Sequence, residues 1–321
     1  MIDYVFGNLL YHDVVKNDFK FMQRALELAR HGGRGTSVHA QLCRAVAPNP
    51  MVGAVIISAA GRVIGEGWHK KFGGPHAEVN AIRSVKRPGD LRGATLYVTL
   101  EPCRHWGKTP PCIDLIRKVG IARVIAGSRD PFQKTENRIQ FLKGSTAEEC
   151  VVLNKFFFTW VTKKRPYITV KIAMSPDGFV AGKNGQTVHI TNRAQDRVVH
   201  RLRAQHQAIM VGVNTVIADN PHLGVRLVKG QDPLRIILDF HGRTPRGAKV
   251  RRNKNYRIIH SKKGYVNLKK LMKNLAKEGI SSVFVEPGPT LYRSLKKAGL
   301  IDELVVFRGK KIIGQGLPLV L

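Results

Sequence analysis

The stretch from Asn49 to Cys112 constrains the fold of this 321-residue chain more than any other. It holds His76-Ala77-Glu78 and, further on, Glu101-Pro102-Cys103 and Pro110-Pro111-Cys112. One imidazole and two thiols can fill three corners of a tetrahedral zinc site, but only if separate chain segments converge on one point. The fourth corner is then left to water, as in catalytic rather than structural zinc. Glu78 is placed to move protons without ligating the metal. A buried histidine beside two packed cysteines is the plainer alternative; the order of the motifs and the strand-like stretches around them favour the metal.

Local patterns supply the scaffold. Phe19 to His31 has helical spacing, with Phe21, Met22, Ala25, Leu26 and Leu28 apolar and Gly32-Gly33 as the stop. Arg34 to Ala47, with Cys43, reads as a loop. Met51–Ile57 and Arg62–Trp68 read as paired strands, Pro75 as the start of a helix carrying His76 and Glu78, and Ala94–Leu100 as a strand running into Cys103. A helix from Pro110-Pro111-Cys112 and a strand ending at Val124–Gly127 follow. Helix starts favour anionic groups such as thiolate and hydroxide. Residues 1–18 read as an N-terminal extension, 19–145 as a first domain, 146–164 as a linker and 165–321 as a second domain.

Composition narrows the class. No apolar run nears the roughly 18 residues of a membrane span, and the first residues lack a secretory pattern. Four cysteines, two of them placed on zinc, make no disulfide scaffold; Cys43 and Cys150 are expected free, in a cytoplasmic protein. The net charge of +32 is lopsided: 22 basic against 13 acidic residues in 1–150, and 32 against 9 in 151–321. Such a field attracts anions. The lysine pairs are scattered and no aromatic residues interleave with them, which reads as a solvated basic surface rather than a nucleic-acid face.

Asn49-Pro50-Met51-Val52-Gly53, His76-Ala77-Glu78 and Glu101-Pro102-Cys103 through Cys112 resemble the deaminase domain of the bifunctional riboflavin-biosynthesis deaminase/reductases. The eight-residue spacer between the cysteines differs from the short Pro-Cys-x-x-Cys of nucleic-acid deaminases and points to a small phosphorylated pyrimidine. The resemblance implies zinc on His76, Cys103 and Cys112, proton transfer by Glu78, and substrate contacts from Asn49, His69 and Lys108. Phe132-Gln133 stands where the family's Asp-Pro turn continues with Asn-Pro.

In the second half, strands are read at Tyr167–Ala173, Ala208–Val213, Arg235–Phe240, Tyr256–Ser261 and Ser282–Glu286, with a helix at Leu268–Lys277. Their alternation argues a mostly parallel sheet. Lys171 to Gly178, Gly212 to Pro221, Arg226 and Glu286-Pro287-Gly288-Pro289 resemble the family's reductase domain. The implied fold class is α/β, a cytidine-deaminase-like α/β/α domain followed by a dihydrofolate-reductase-like α/β domain, and the implied second cofactor is NADPH. Implied cofactor contacts are Met174, His189, Thr215, Asp219 and Gly288; implied substrate contacts are Lys171, Ser175, Thr187, Arg203, Leu223, Arg226 and Glu286. Pro287 replaces a family glycine, His189 a tryptophan, and the chain stops at Leu321, sooner than the family norm. The expected function is two steps of riboflavin biosynthesis: deamination of 2,5-diamino-6-(5-phosphoribosylamino)pyrimidin-4(3H)-one, then reduction of its ribosyl group, in a homo-oligomer. A deaminase with a degenerate reductase half, and more distantly a basic RNA-binding or RNA-editing protein, stand as alternatives.

Overall fold

A computed structural model of the chain describes residues 6–31, 39–107, 110–134, 139–261 and 264–321. The chain divides into two compact units, Met1–Thr162 and Lys163–Leu321. No described helix is long and apolar enough to cross a membrane.

The first unit runs α1 (Phe6–His31), α2 (His39–Val46), β1 (Gly53–Ile57), β2 (Val63–Trp68), α3 (Ala77–Arg83), β3 (Thr95–Val98), α4 (Cys112–Lys118), β4 (Arg123–Ala126), β5 (Ile139–Phe141), α5 (Ser145–Leu153) and α6 (Lys155–Lys163). Its sheet has the order β2-β1-β3-β4-β5, with β1 antiparallel to both β2 and β3 and the rest parallel. β1 is buried on both faces, and its period of two divides the core. Ala54 and Ile56 pack with α3, α4 and α6, while Val55 and Ile57 pack with α1 and α5.

Three expectations need correction. The helix expected from Phe19 begins at Phe6, so much of the extension is helix; Asp18 accepts bonds from Tyr97 (2.5 Å) and Arg123 (3.2 Å), tying it to the sheet. The 34–47 loop contains α2. Residues 146–164, read as a linker, instead form α5 and α6, whose Cys150, Phe157 and Val161 are buried in the first unit's cores. In α5 Val151 and Val152 face solvent beside the buried Cys150, so that segment lacks the periodicity that marks a helix.

The second unit runs β6 (Tyr167–Met174), β7 (Phe179–Gly182), α7 (Arg193–Gln205), β8 (Ala208–Gly212), α8 (Val213–Asp219), β9 (Leu234–Leu238), β10 (Tyr256–Ile259), α9 (Leu268–Lys277), β11 (Ser282–Val285), α10 (Pro289–Lys297), β12 (Glu303–Arg308) and β13 (Gly316–Pro318). Six strands, ordered β10-β9-β8-β11-β6-β12, are parallel throughout. Ile168, Val170 and Val283 face α9 and α10, whereas Ile209, Val211 and Phe284 face α7 and α8. Helices on both faces are what a parallel sheet requires.

Candidate active site

α3 is fixed by a backbone-on-backbone contact. A Cβ on Gly67 of β2 would stand 2.3 Å from the amide nitrogen of Ala81 and 2.5 Å from the carbonyl of Ala77, so only glycine lets the helix lie this close. His76 is the N-cap of α3, with Glu78 inside its first turn. Cys112 opens α4, and Cys103 lies in the loop that follows the C-terminal end of β3.

The three ligand atoms meet. His76 Nδ1 lies 3.2 Å from Cys112 Sγ and 3.5 Å from Cys103 Sγ, and the Cys112 amide donates to Cys103 Sγ at 3.3 Å. All three ligand atoms fall within 4.8 Å of one another. Tetrahedral bonds to nitrogen and sulfur separate ligand atoms by roughly 3.5 Å, so this donor set fits a zinc ion. Cys112 and His76 hydrogen-bond to the Cys103 sulfur and pull its thiol down to about 4, while the shared proton and burial push Cys112 up. Such a proton is the one a bound cation displaces.

Glu78 is 4% exposed, and burial raises its carboxyl to about 7. A carboxyl that titrates near neutrality both takes and returns a proton readily. His69 donates from Nδ1 to the Pro75 carbonyl at 3.0 Å, leaving Nε2 to accept from Asn49 Nδ2 at 3.3 Å. Burial keeps the His69 ring neutral. Asn49, His69, His76, Glu78 and Cys103 line one pocket; Lys108 lies outside the described residues.

Two pocket residues, Phe157 and Trp160 of α6, carried no signal in the sequence. With Phe132 they give the pocket an aromatic wall, and Glu101 and Asp130 border it. Phe132 lies between His105 and Phe157, its ring centroid 6.3 and 6.0 Å from theirs. Gln133 beside it accepts the Arg104 N–H at 2.8 Å and donates to the Pro102 carbonyl at 2.9 Å, pinning the Cys103 loop from both sides. An aromatic residue on a buried helix reads as core, so only the fold places Phe157 and Trp160 here.

In the second unit Arg203 donates from Nε to Glu286 at 2.7 Å, its Nη2 lies 2.7 Å from the same oxygen, and Lys171 Nζ is 3.9 Å from that carboxylate. Burial would raise Glu286, but Arg203 and Lys171 outweigh it and hold the carboxyl below its ordinary value. Thr187 donates to Asp219. Thr215 Oγ1 lies 3.9 Å from where a Cβ on Gly288 would stand. Met174 is buried at the end of β6. His189 is exposed, its Nε2 3.6 Å from Asp196. Leu223 adopts φ +56° and Arg226 projects into solvent. Ser175 departs from expectation: it is fully buried, and its hydroxyl donates to the Phe179 carbonyl and accepts the Phe179 N–H, leaving no side-chain surface to meet a substrate.

A family model for the cytidine and deoxycytidylate deaminase zinc-binding region matches residues 15–128, and one for the RibD C-terminal domain matches 166–320. The riboflavin biosynthesis protein RibD of Aquifex aeolicus is 40% identical, the match covering 94% of this chain and 89% of that one. RibD of Escherichia coli is 36% identical over 93% and 89%. The crystal structure of a Thermotoga maritima diaminohydroxyphosphoribosylaminopyrimidine deaminase/5-amino-6-(5-phosphoribosylamino)uracil reductase superposes with a TM-score of 0.80 at 39% identity, covering 95% of this chain and 90% of that one. RibD of Acinetobacter baumannii gives 0.82 at 32%. With a zinc-binding deaminase unit followed by a reductase unit that calls for a nicotinamide, the chain belongs to the RibD family of riboflavin biosynthesis enzymes.

Proposed function

We propose that the first unit deaminates 2,5-diamino-6-(5-phosphoribosylamino)pyrimidin-4(3H)-one and that the second reduces the resulting 5-amino-6-(5-phosphoribosylamino)uracil at its ribosyl group with NADPH. The observation that carries this is the convergence of His76, Cys103 and Cys112 beside a buried Glu78, where His76, Glu78 and Cys103 line one pocket. His76, Cys103 and Cys112 would hold a zinc ion, which would supply the Lewis acidity that activates water at neutral pH. Glu78 takes one proton of the attacking water and gives it to the ring nitrogen, then takes the remaining hydroxyl proton of the adduct and gives it to the amino group, which leaves as ammonia while the carbonyl forms. Asn49, steadied by His69, keeps its amide oxygen for a ring N–H or amino group, and Lys108 serves the phosphate. Phe132, Phe157 and Trp160 exclude water from one side of the ring.

In the second unit a nicotinamide supplies the hydride. Met174, Thr215, Asp219 and the turn at Gly288 hold it, with His189 at the rim, and Thr187, bonded to Asp219, meets the substrate. Lys171 and Glu286 meet the sugar, while Leu223, Arg203 and Arg226 orient the substrate, the Arg226 fork suiting a phosphate. Ser175 shapes the turn after β6. A cytoplasmic homo-oligomer, dimer or tetramer, goes with this reading, and no nucleic-acid partner does.

The test uses full-length protein. The wild type releases ammonia from the diaminopyrimidine and oxidises NADPH when given the ribosylaminouracil phosphate. Glu78→Gln keeps its zinc but loses ammonia release by about 10²- to 10⁴-fold. Full activity in that variant would overturn the mechanism; NADPH left unconsumed by the wild type would overturn the reductase half.

A further inference from the structure

Helix α7 turns two side chains, three residues apart and so on one face, toward the loop after α8. Arg203 donates from Nη1 to the Gly224 carbonyl at 3.2 Å, besides its Nε bond to Glu286. His200, 5% exposed, accepts the backbone N–H of Arg226 on Nδ1 at 2.9 Å, which puts its own proton on Nε2. Between these, the Val225 N–H donates to Asp232 at 2.8 Å, and Asp232 is in turn held by Arg235 at 3.0 Å. Three successive residues of the loop are thus tied through their backbones to side chains, two of which, His200 and Arg203, are buried, while the Arg226 guanidinium stays in solvent. Surface loops are usually mobile; this one gives a single cation a fixed mount, linked through Arg203 to Glu286 and Lys171.

We propose that His200 is a positioning residue of the reductase site: by accepting the Arg226 N–H it sets the direction in which the Arg226 guanidinium meets the substrate phosphate. The role rests on the reductase reading above. Burial, then the charges of Arg203 and Arg226, push the imidazole down to about 4 against the opposing pull of Glu286 and Asp196, so Nδ1 remains an acceptor at neutral pH. Without that acceptor the N–H must find another partner or leave the position, and an arginine that moves by an ångström loses a two-pronged contact.

The experiment compares His200→Leu, which removes the acceptor, with His200→Asn, whose amide oxygen stands near the place of Nδ1. Ammonia release at the first unit serves as the folding control. Two quantities are read in full-length protein: amide hydrogen exchange over residues 223–229, and kcat and KM for NADPH-dependent reduction of the phosphorylated substrate and of its dephosphorylated form. His200→Leu is expected to speed exchange at Arg226 and raise KM for the phosphorylated substrate about tenfold, the loss of one well-made hydrogen bond, with kcat within about twofold. KM for the dephosphorylated form does not move, and His200→Asn restores both readings. Unchanged exchange, an equal effect on the dephosphorylated form, or no rescue by asparagine overturns the role. A wild type that reduces nothing overturns the reductase reading and this role with it, whereas a reducing wild type with an indifferent leucine variant overturns the role alone. Should the leucine variant not fold, the nitrogen-15 shifts of the wild-type ring decide: a proton on Nδ1 overturns the proposal.

Discussion

Asn154 grips both backbone polar groups of Met51, accepting its N–H at 2.8 Å and donating to its carbonyl at 2.9 Å across 103 residues of sequence. The amide is 3% exposed and joins the break between α5 and α6 to the segment that presents Asn49. Replacing it by alanine leaves a buried donor and a buried acceptor unsatisfied, which costs roughly 2–4 kcal/mol. Asn154→Ala is expected to lower the unfolding free energy of the first unit, read from urea melts, by that amount and to weaken ammonia release, while NADPH oxidation persists. Unaltered stability would refute it.

Gly67→Ala tests how α3 is seated. The new methyl would meet the backbone of Ala81 and Ala77 well inside contact distance, and backbone cannot swing aside as a side-chain tip can. We expect a loss of about 3 kcal/mol and a fall in zinc content, because His76 rides on the displaced helix. Metal analysis together with thermal melting checks this; a variant with full zinc and wild-type Tm would contradict the seating.

His200 imposes a pH dependence. Its ring titrates near 4 in the folded chain, lowered first by burial and then by Arg203 and Arg226, against about 6.5 when unfolded. Between those values the unfolded chain holds a proton that the folded chain does not, so stability rises with pH across the window and is lost as pH falls through it. The component amounts to on the order of 3 kcal/mol. Urea melts from pH 7.5 to 4.5 are expected to show a steeper decline in wild type than in His200→Asn; equal slopes would refute the assignment.

Pro287 lies between the end of β11 and Gly288, the N-cap of α10, and has no N–H to offer a cofactor phosphate. Pro287→Gly supplies one and is expected to tighten NADPH binding about threefold to tenfold, the range of one added hydrogen bond. Fluorescence titration of the reduced nicotinamide reads it directly, and weaker binding in the variant would count against a phosphate at this turn.

The zinc trio was legible in the sequence because metal chemistry restricts each position to a few residue types and the strands between them carry clear apolar runs. The parallel sheet of the second unit was legible for the same reason: Ile168, Val170, Ile209 and Val211 are buried on both faces and read as continuous runs. What escaped was set by tertiary contact. β5, three residues long, is a strand only because β4 pairs with it. Phe157 and Trp160 look like any core aromatics until α6 is folded against the pocket. His200 sits in an ordinary amphipathic helix, and nothing local announces that a loop amide from Arg226 ends on its ring. Ser175 was placed on the substrate by analogy, whereas the turn it closes consumes its hydroxyl.

Because α6 furnishes one wall of the zinc pocket, the place where this gene can be divided is not where its motifs end. A stand-alone deaminase cut at residue 145 would keep every metal ligand and Glu78, yet lose Phe157, Trp160 and the Asn154 clasp. One cut after Thr162 retains all of them. Seventeen of the nineteen codons that resemble a spacer belong to the first enzyme, and any rearrangement that parts the two activities has to carry them upstream.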